Sequence, residues 1–165
     1  MVGYLCRMKY RMLTSEERKI FDEDFKYFLI SNGVKNEEWL EMNEKQPEKA
    51  EKLVELFSDS VLDIVYQKVK FIEFRSVDSC MVFHCKKEEM EVISILPKPN
   101  AQVDLSTPES IHEALQNQAK DLSIFKAKKA YSQSREKEIH QMTEQGCVNS
   151  HEDFWNALES SIANK

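Results

Sequence analysis

PEKAEKLVELFSDSVLDIVYQKVKFIEF, residues 47–74, is the stretch that decides the fold. Pro47 suits the first turn of a helix, where a missing N–H costs nothing. Glu48 and Glu51 follow at the end where the helix dipole favours carboxylates. Beyond Tyr66 the apolar spacing changes from 3.6 residues to 2, which indicates that the helix leads directly into a strand. We therefore predict a long central helix around which the other segments are organised.

The central helix has an apolar and an acidic sector at 100° per residue. The apolar sector, predicted to face the core, consists of Leu53, Val54, Phe57, Val61, Ile64, Val65 and Lys68. The acidic sector consists of Glu51, Glu55, Asp59 and Asp63. Leu62 and Tyr66 break the pattern because they fall in the acidic sector. Packing within the chain would bury them, but a tyrosine beside a leucine also suits the core of an interface. The candidate interaction residues are therefore Leu62, Tyr66, Glu55 and Asp59.

Size and composition favour an ordinary single domain. The chain has 165 residues, of which 41% are hydrophobic and 32% are charged, which is typical of a globular protein. No apolar run approaches the ~20 residues that span a bilayer, and the opening MVGYLCR lacks the apolar core of a secretory signal. The four cysteines, scattered without a CxxC pair, are interpreted as reduced thiols. We expect a cytoplasmic protein with no membrane partner.

The net charge of −6 is unevenly distributed. Residues 14–63 contain 14 acidic and 7 basic residues, and the remainder contains 15 acidic and 16 basic residues. The acidic half disfavours DNA or RNA binding there, because phosphate neutralisation supplies most of such affinity.

The predicted fold class is α+β. An N-terminal helical hairpin and the long central helix pack on a three-stranded antiparallel β-meander, with C-terminal helices completing a second layer. The predicted segments are an N-terminal arm at 1–13, helices at 14–69, the meander at 70–96, a loop at 97–107 and helices at 108–165. Met1 and Met8 are alternative starts of the arm.

The first helix carries a carboxylate within its apolar face. Thr14 and Glu17 form a capping-box pattern, and Asn32-Gly33 is typical of a helix end. Asp24 lies by angle among the apolar side chains of this helix. Either it stays in water at the edge of the stripe, or it is a polar anchor against Arg11 or Arg75. A further alternative is that Asp24 is a catalytic acid.

Three runs with strand character follow the central helix: VKFIEFRS, SCMVFHCK and MEVISILP. Alternation places Phe71, Glu73 and Arg75 on one face of the first strand, and Cys80, Val82 and His84 on one face of the second. Farther along, LSIFKAKKAYS fits either a short strand or a continued helix, and we favour a helix. Two more helices, REKEIHQMTEQ and HEDFWNALESSI, follow it.

Cys80, His84 and Cys85 form the closest approach to a reactive cluster. A regular strand points Cys85 away from the other two, so convergence on a metal is disfavoured. A hydrolytic or small-molecule enzyme using Asp24 or the Cys80/His84 pair is nevertheless one alternative function. No nucleotide-binding motif is present and the chain has only three glycines, so we predict no cofactor and no metal.

The segment Lys126–Lys137 is a basic patch around Tyr131. Residues 120–137 contain six basic and two acidic residues. An aromatic among lysines can stack a nucleobase, which gives a second alternative, a nucleic-acid accessory protein. The ordinary interpretation is a solvated surface, which could also dock the acidic face of a second copy.

Several blocks of the chain resemble a known family. The blocks are MKYRMLTSEE, FLISNGV with EEW, PEKAEKLVELFSD, and KKAYSQSRE with EQGCV. Together they resemble a family of small bacterial proteins of unknown function, from Met8 onward. The resemblance implies a single soluble cytoplasmic domain and no catalytic role. The leading hypothesis is a non-catalytic module that binds a protein partner or itself. It is based on the uneven charge, on the positions of Leu62 and Tyr66, and on the absence of catalytic spacing.

Overall fold

The computed structural model describes residues 8–163. The chain forms two compact units, Met1–Gln67 and Lys68–Lys165. Residues 1–7, with Cys6 and the alternative start at Met1, lie outside the described residues. The predicted arm is therefore described only from Met8 onward, and the assignment of a single domain stays a prediction.

Helices make up the first unit. They are α1 (Ser15–Ile20), α2 (Asp22–Ser31), α3 (Asn36–Lys45) and α4 (Pro47–Lys68). The predicted capping box is confirmed: Glu17 N–H donates to Thr14 Oγ1 at 3.2 Å, and Thr14 N–H donates to Glu17 Oε2 at 2.8 Å. Gly33 has a φ of 74°, so the predicted helix end is confirmed as well. A single turn residue, Phe21, separates α1 from α2, which the sequence predicts as one helix.

The second unit contains an antiparallel sheet with strand order β4-β3-β2-β1-β5. Its strands are β1 (Phe71–Ser76), β2 (Ser79–Cys85), β3 (Glu89–Pro97), β4 (Leu122–Ala130) and β5 (Val148–Asn149). Its helices are α5 (Pro108–Asn117), α6 (Arg135–Glu144) and α7 (Glu152–Ala163), with a 3₁₀ turn at Ala119–Asp121.

The prediction of a three-stranded meander was wrong, because the sheet in the described residues has five strands. The meander forms its centre, and the segment assigned to a continued helix is β4, paired with β3 over all nine residues. Lysine and alanine are good helix formers, but tertiary context routinely overrides helix propensity, and here a ladder beside an existing strand supplies hydrogen bonds and burial. Leu122 is fully buried in this arrangement. The strand β5 has only two residues, which are too few to show an alternating hydrophobic pattern.

The predicted strand faces are confirmed by the register. Phe71 lies opposite His84 and Arg75 lies opposite Cys80, so both predicted sets share one face. The core on this face combines residues of the strands, the loop before α5, and the helices α5 and α7. Its members are Phe71, Cys80, Val82, Ile93, Ile95, Val103, Leu105, Ile111, Ala114, Leu122, Trp155 and Leu158.

The buried side of α4 differs from the predicted apolar sector. Ile64 and Val65 are 53% and 42% exposed, although Val54 and Phe57 are buried as predicted. The buried row instead follows a four-residue spacing through Ala50, Val54, Ser58, Leu62 and Tyr66. Each step of four residues advances roughly 40° around the axis, so the row winds across the acidic sector toward the end of the helix.

The chain's own N-terminal segment explains this rotation. The Asp59 carboxylate accepts the backbone N–H groups of Lys9 at 2.7 Å and Tyr10 at 2.9 Å. The Asp63 carboxylate accepts from Lys9 Nζ at 2.6 Å and Tyr10 Oη at 2.5 Å. The Tyr10 ring also packs on Tyr66, with centroids 5.2 Å apart. We call the contacts of residues 9–13 with Asp59, Asp63, Ser58 and Tyr66 the N-terminal clamp.

The N-terminal clamp also shifts the pKa values of Asp63 and Tyr10. Hydrogen bonds from Lys9 and then Tyr10 lower the pKa of Asp63 below its usual value. Burial, followed by the hydrogen bond to Asp63, raises the pKa of Tyr10 to about 12. Ser58 completes the clamp by accepting Leu13 N–H at 3.1 Å.

Replacing Asp59 should release the segment from α4. We expect Asp59→Ala to lower the free energy of unfolding by about 1–3 kcal/mol, because two backbone N–H groups lose their acceptor. Urea unfolding measures this loss. The exposed Glu51→Ala on the same helix is the control, and an equal effect of both variants would contradict the clamp.

The clamp should also weaken in acid. A carboxylate whose folded pKa is lowered stabilises the fold above its unfolded pKa, here 3.8 for Asp63, and loses that stabilisation as the pH falls through the folded value. The free energy of unfolding should therefore fall below about pH 4, and more steeply in the unmodified protein than in Asp63→Asn. Unfolding curves between pH 2 and 6 test this. Parallel pH profiles would contradict the assignment.

Candidate functional site

The four predicted interaction residues lie on α4 beside the N-terminal clamp. Leu62 and Tyr66 are 5% and 6% exposed, which agrees with the alternative of packing within the chain. Asp59 is occupied by two backbone N–H groups, and Glu55 is half-buried. Their role in binding a partner stays a prediction, but these side chains offer a partner little free surface.

Asp24 and Arg75, the candidate polar anchor, have separate surroundings. Asp24 is exposed on α2, so it is not removed from water. Arg75 Nε lies 3.0 Å from the Glu73 carboxylate, and Arg11 pairs with Glu17 at 2.8 Å. Both guanidinium groups proposed as partners of Asp24 therefore hold other carboxylates.

The Cys80/His84 pair has no geometry for nucleophilic catalysis. Cys80 and His84 share a face of β2 but lie four residues apart, roughly 13 Å along a strand. Burial raises the pKa of the Cys80 thiol to about 12, and the charge of Glu73 adds to this. Cys85 lies on the opposite face, and burial raises its pKa to about 12 as well. Both thiols are therefore protonated at neutral pH, which disfavours nucleophilic attack by either of them.

The His84 ring packs among aromatic side chains. It stacks on Phe71 with centroids 4.5 Å apart and meets the Trp155 ring at 5.5 Å. Burial, followed by the charge of Lys86, lowers the pKa of His84. Across residues 8–163, no cluster of three or more His, Cys, Asp or Glu side chains is arranged to hold a metal ion.

Three lysines of the basic patch, Lys126, Lys128 and Lys129, are paired within the unit. Lys126 contacts Glu91 at 3.4 Å and also Glu159 of α7. Lys128 lies 3.0 Å from Glu89. These carboxylates belong to β3 and α7, on the inner side of the lysines. These carboxylates offset part of the positive charge counted in the sequence, which weakens the attraction for phosphates.

Lys129 neutralises a buried carboxylate on the other face of the sheet. Its ammonium lies 2.6 Å from Glu138 Oε1, and the Glu138 side chain is 4% exposed. The other oxygen, Oε2, accepts Ser132 N–H at 2.8 Å. Burial alone would raise the pKa of Glu138, but the Lys129 ammonium and the Ser132 donors bring it below its usual value.

The loop after β4 is fixed to the sheet. Arg135 donates to the carbonyl oxygens of Cys85 at 3.0 Å and Lys86 at 3.2 Å, and also to that of Val69. The Tyr131 hydroxyl donates to Lys86 O at 2.6 Å. The segment therefore holds the β2–β3 turn and the start of β1, and its polar groups serve the fold.

The outer edge of β4, residues 122–130, carries backbone groups that do not bond to β3. Lys98 N–H donates to Asp121 O at 2.7 Å, and the antiparallel register continues from that pair without interruption to Glu89 and Ala130. Hydrogen-bonded pairs alternate in such a ladder. Odd-numbered residues of β4 therefore bond to β3. The residues whose N–H and C=O groups point outward are Leu122, Ile124, Lys126, Lys128 and Ala130.

This edge is uncovered over most of its length. All six residues from Phe125 to Ala130 are exposed, and in the described chain β4 pairs with β3 alone. The sequence contained one signal for the strand β4, because Leu122 and Ile124 alternate with Ser123 before the lysines begin. That signal spans only three residues, and the lysine-rich remainder favours a helix equally well.

Comparison with known proteins identifies a family, but that family has no assigned activity. The model of a family of unknown function (DUF6495) matches residues 8–163. No curated protein and no solved structure matches the chain. Among the described helices, none is long and apolar enough to cross a bilayer.

The two neighbouring lysines of β4 should differ in their effect on stability. Lys129→Met leaves the buried Glu138 without its cation, so we expect the free energy of unfolding to fall by about 1–3 kcal/mol. Lys128→Met is the matched control, because Glu89 is 40% exposed and such pairs contribute at most about 1 kcal/mol. Chemical denaturation measures both, and similar losses would contradict the internal pairing of Glu138.

Proposed function

We propose that this chain, which belongs to a family of unknown function (DUF6495), is a non-catalytic module. In this role it binds a protein partner by strand addition. In this proposal an extended segment of the partner pairs with the outer edge of β4 and continues the sheet. The observation that carries the proposal is the row of outward backbone groups along six exposed residues.

Unpaired strand edges are normally shielded. Natural proteins keep them short, cover them or twist them away, because an open edge pairs with other chains. Here β4 has nine residues, all in register with β3, and a straight ladder of this length offers a template for a partner's backbone. The lysines on the strand are a partial protection, since they disfavour apolar strands.

The side chains along the edge indicate the chemistry of the partner. Lys126 and Lys128 project on one face of the sheet and are its outermost charges there, since the carboxylates that pair with them lie on β3 and α7. Phe125 projects on the opposite face and is 48% exposed. A partner segment with acidic residues on one face and an apolar residue on the other would therefore fit.

Self-association through the same edge is less favourable. If β4 pairs with β4 of a second copy in antiparallel fashion, Lys126 and Lys128 of both copies share one face of the joined sheet. Like charges on neighbouring strands are destabilising. The proposal therefore assigns the edge to a segment of another protein.

We also propose that the protein works in a reducing, cytoplasmic compartment of a bacterial cell. The described cysteines Cys80, Cys85 and Cys147 are buried free thiols, which are typical of proteins that are not secreted. The bacterial origin is what the resemblance of the sequence blocks implies.

Proline at position 128 tests strand addition. Lys128 N–H points outward, so Lys128→Pro removes a donor for the partner and leaves the ladder with β3 in place. Lys128→Ala is the matched control, because it removes the same side chain but keeps the N–H group. We expect nine-residue peptides selected from a random library on the unmodified protein to bind Lys128→Pro at least about tenfold more weakly, measured by calorimetry.

Amide exchange locates the bound peptide. On binding, the N–H groups of Ile124, Lys126 and Lys128 should become protected, whereas those of Phe125 and Ala127 are already bonded to β3. Peptides that protect amides elsewhere, or that bind Lys128→Pro as well as Lys128→Ala, would contradict the proposal. A dimer seen by light scattering and lost in Lys128→Pro would assign the edge to a second copy instead.

A further inference from the structure

A separate cavity lies in the first unit, among α1, α2, α3 and α4. Its volume is about 290 Å³, close to the lower end of the range for small-molecule sites. The apolar wall consists of Phe25, Trp39, Phe57 and Val54. This volume corresponds to roughly ten water molecules, so the cavity matches a ligand with one ring or two fused rings.

The aromatic wall is held in a fixed arrangement. The Phe25 ring meets Trp39 edge-on at 5.1 Å and Phe57 at 5.0 Å. Phe57 also packs on Phe28 at 5.4 Å. These contacts anchor the wall to α4, so a ring entering the cavity meets preorganised aromatic surfaces and can pack against their faces or edges.

The polar lining contains both a carboxylate and a guanidinium. Asp22 lines the cavity, and its carboxylate lies 2.9 Å from the Lys26 ammonium, which lies at the same distance from Glu23. Arg18 also lines the cavity, and its guanidinium contacts the Ser15 hydroxyl at 3.4 Å. In the described chain no carboxylate pairs with Arg18. Arg18 is therefore the cation of the lining that can pair with a ligand, and a guanidinium binds carboxylates with paired hydrogen bonds.

The acidic character of this half of the chain does not cancel that preference. Residues 14–63 carry seven more acidic than basic residues, but charges farther than about 8 Å are largely screened at physiological ionic strength. Asp22, the carboxylate that also lines the cavity, is paired with Lys26, so the Arg18 guanidinium is the charged donor that a ligand in the cavity can contact directly.

We propose that this cavity is a binding site for a compact aromatic carboxylate. The ring occupies the space bounded by Phe25, Trp39 and Phe57, and the carboxylate pairs with Arg18. This inference goes beyond strand addition at β4 and does not depend on it, because every residue that carries it belongs to the first unit.

Three probes with the same ring test the proposal on the full-length chain. They are 3-phenylpropionate, its neutral amide 3-phenylpropionamide, and the cation 3-phenylpropylamine. The chain has two tryptophans, and their indole N–H resonances separate the cavity from the rest of the protein. On titration the Trp39 resonance should shift, and the Trp155 resonance, in the core of the second unit, should not.

Charge recognition should depend on one residue. The carboxylate should bind about tenfold more tightly than the amide and the amine, and Arg18→Gln should remove that advantage. Lys19→Gln is the matched control, because it removes the same charge from the adjacent exposed position and leaves the cavity lining intact. Equal binding of the three probes, equal effects of the two variants, or equal shifts of both tryptophans would each overturn the proposal.

Discussion

Pairing of partly buried carboxylates is the constraint on which both units depend. A carboxylate removed from water needs a cation or hydrogen-bond donors, and this chain has 29 acidic residues. The buried carboxylates of the described chain are all matched: Glu73 by Arg75, Glu91 by Lys86 and Lys126, and Glu138 by Lys129 and Ser132. On α4 the same requirement brings the N-terminal segment onto Asp59 and Asp63. The charges thus serve mainly to connect elements within each unit.

Counting charges along the sequence therefore gave a misleading view of the binding surfaces. The acidic half and the Lys126–Lys137 patch look like complementary docking faces when only the residue types are known. In the fold Lys126, Lys128 and Lys129 meet carboxylates of β3, α6 and α7, and Arg135 binds carbonyl oxygens. The features on which our two proposals depend are of another kind: the backbone groups along β4 and the guanidinium of Arg18 beside aromatic rings.

The sequence predicted helix ends and strand faces better than it predicted the buried side of α4. Pro47, the capping box at Thr14 and Gly33 mark helix ends through local chemistry, so they could be recognised without tertiary information. The buried row of α4 could not be, because it depends on Tyr10 and the other residues of the clamp, which are distant in the sequence. A helical wheel of α4 assumes that the buried side chains form one straight stripe. It therefore also misses buried side chains that follow a four-residue spacing and wind around the helix.

The strand β4 was missed for a similar reason, and the reason bears on the strand addition that we propose. LSIFKAKKA has weak β-propensity after Phe125, so its conformation comes from the ladder with β3 and from its fixed ends. Because β3 holds β4 in an extended conformation, the outer edge of β4 can serve as a template for another strand. The lysines of β4 disfavour non-specific pairing with other chains.

The loop after β4 supports such a template directly. Tyr131 and Arg135 tie it to the β2–β3 turn, and Lys129 is held by the buried Glu138. The end of the strand is therefore fixed in the chain itself, so the strand addition that we propose would need to order only the incoming segment. Because ordering flexible segments is a large part of the cost of association, this arrangement lowers that cost on the side of the module. The conformational entropy that remains to be lost belongs to the partner.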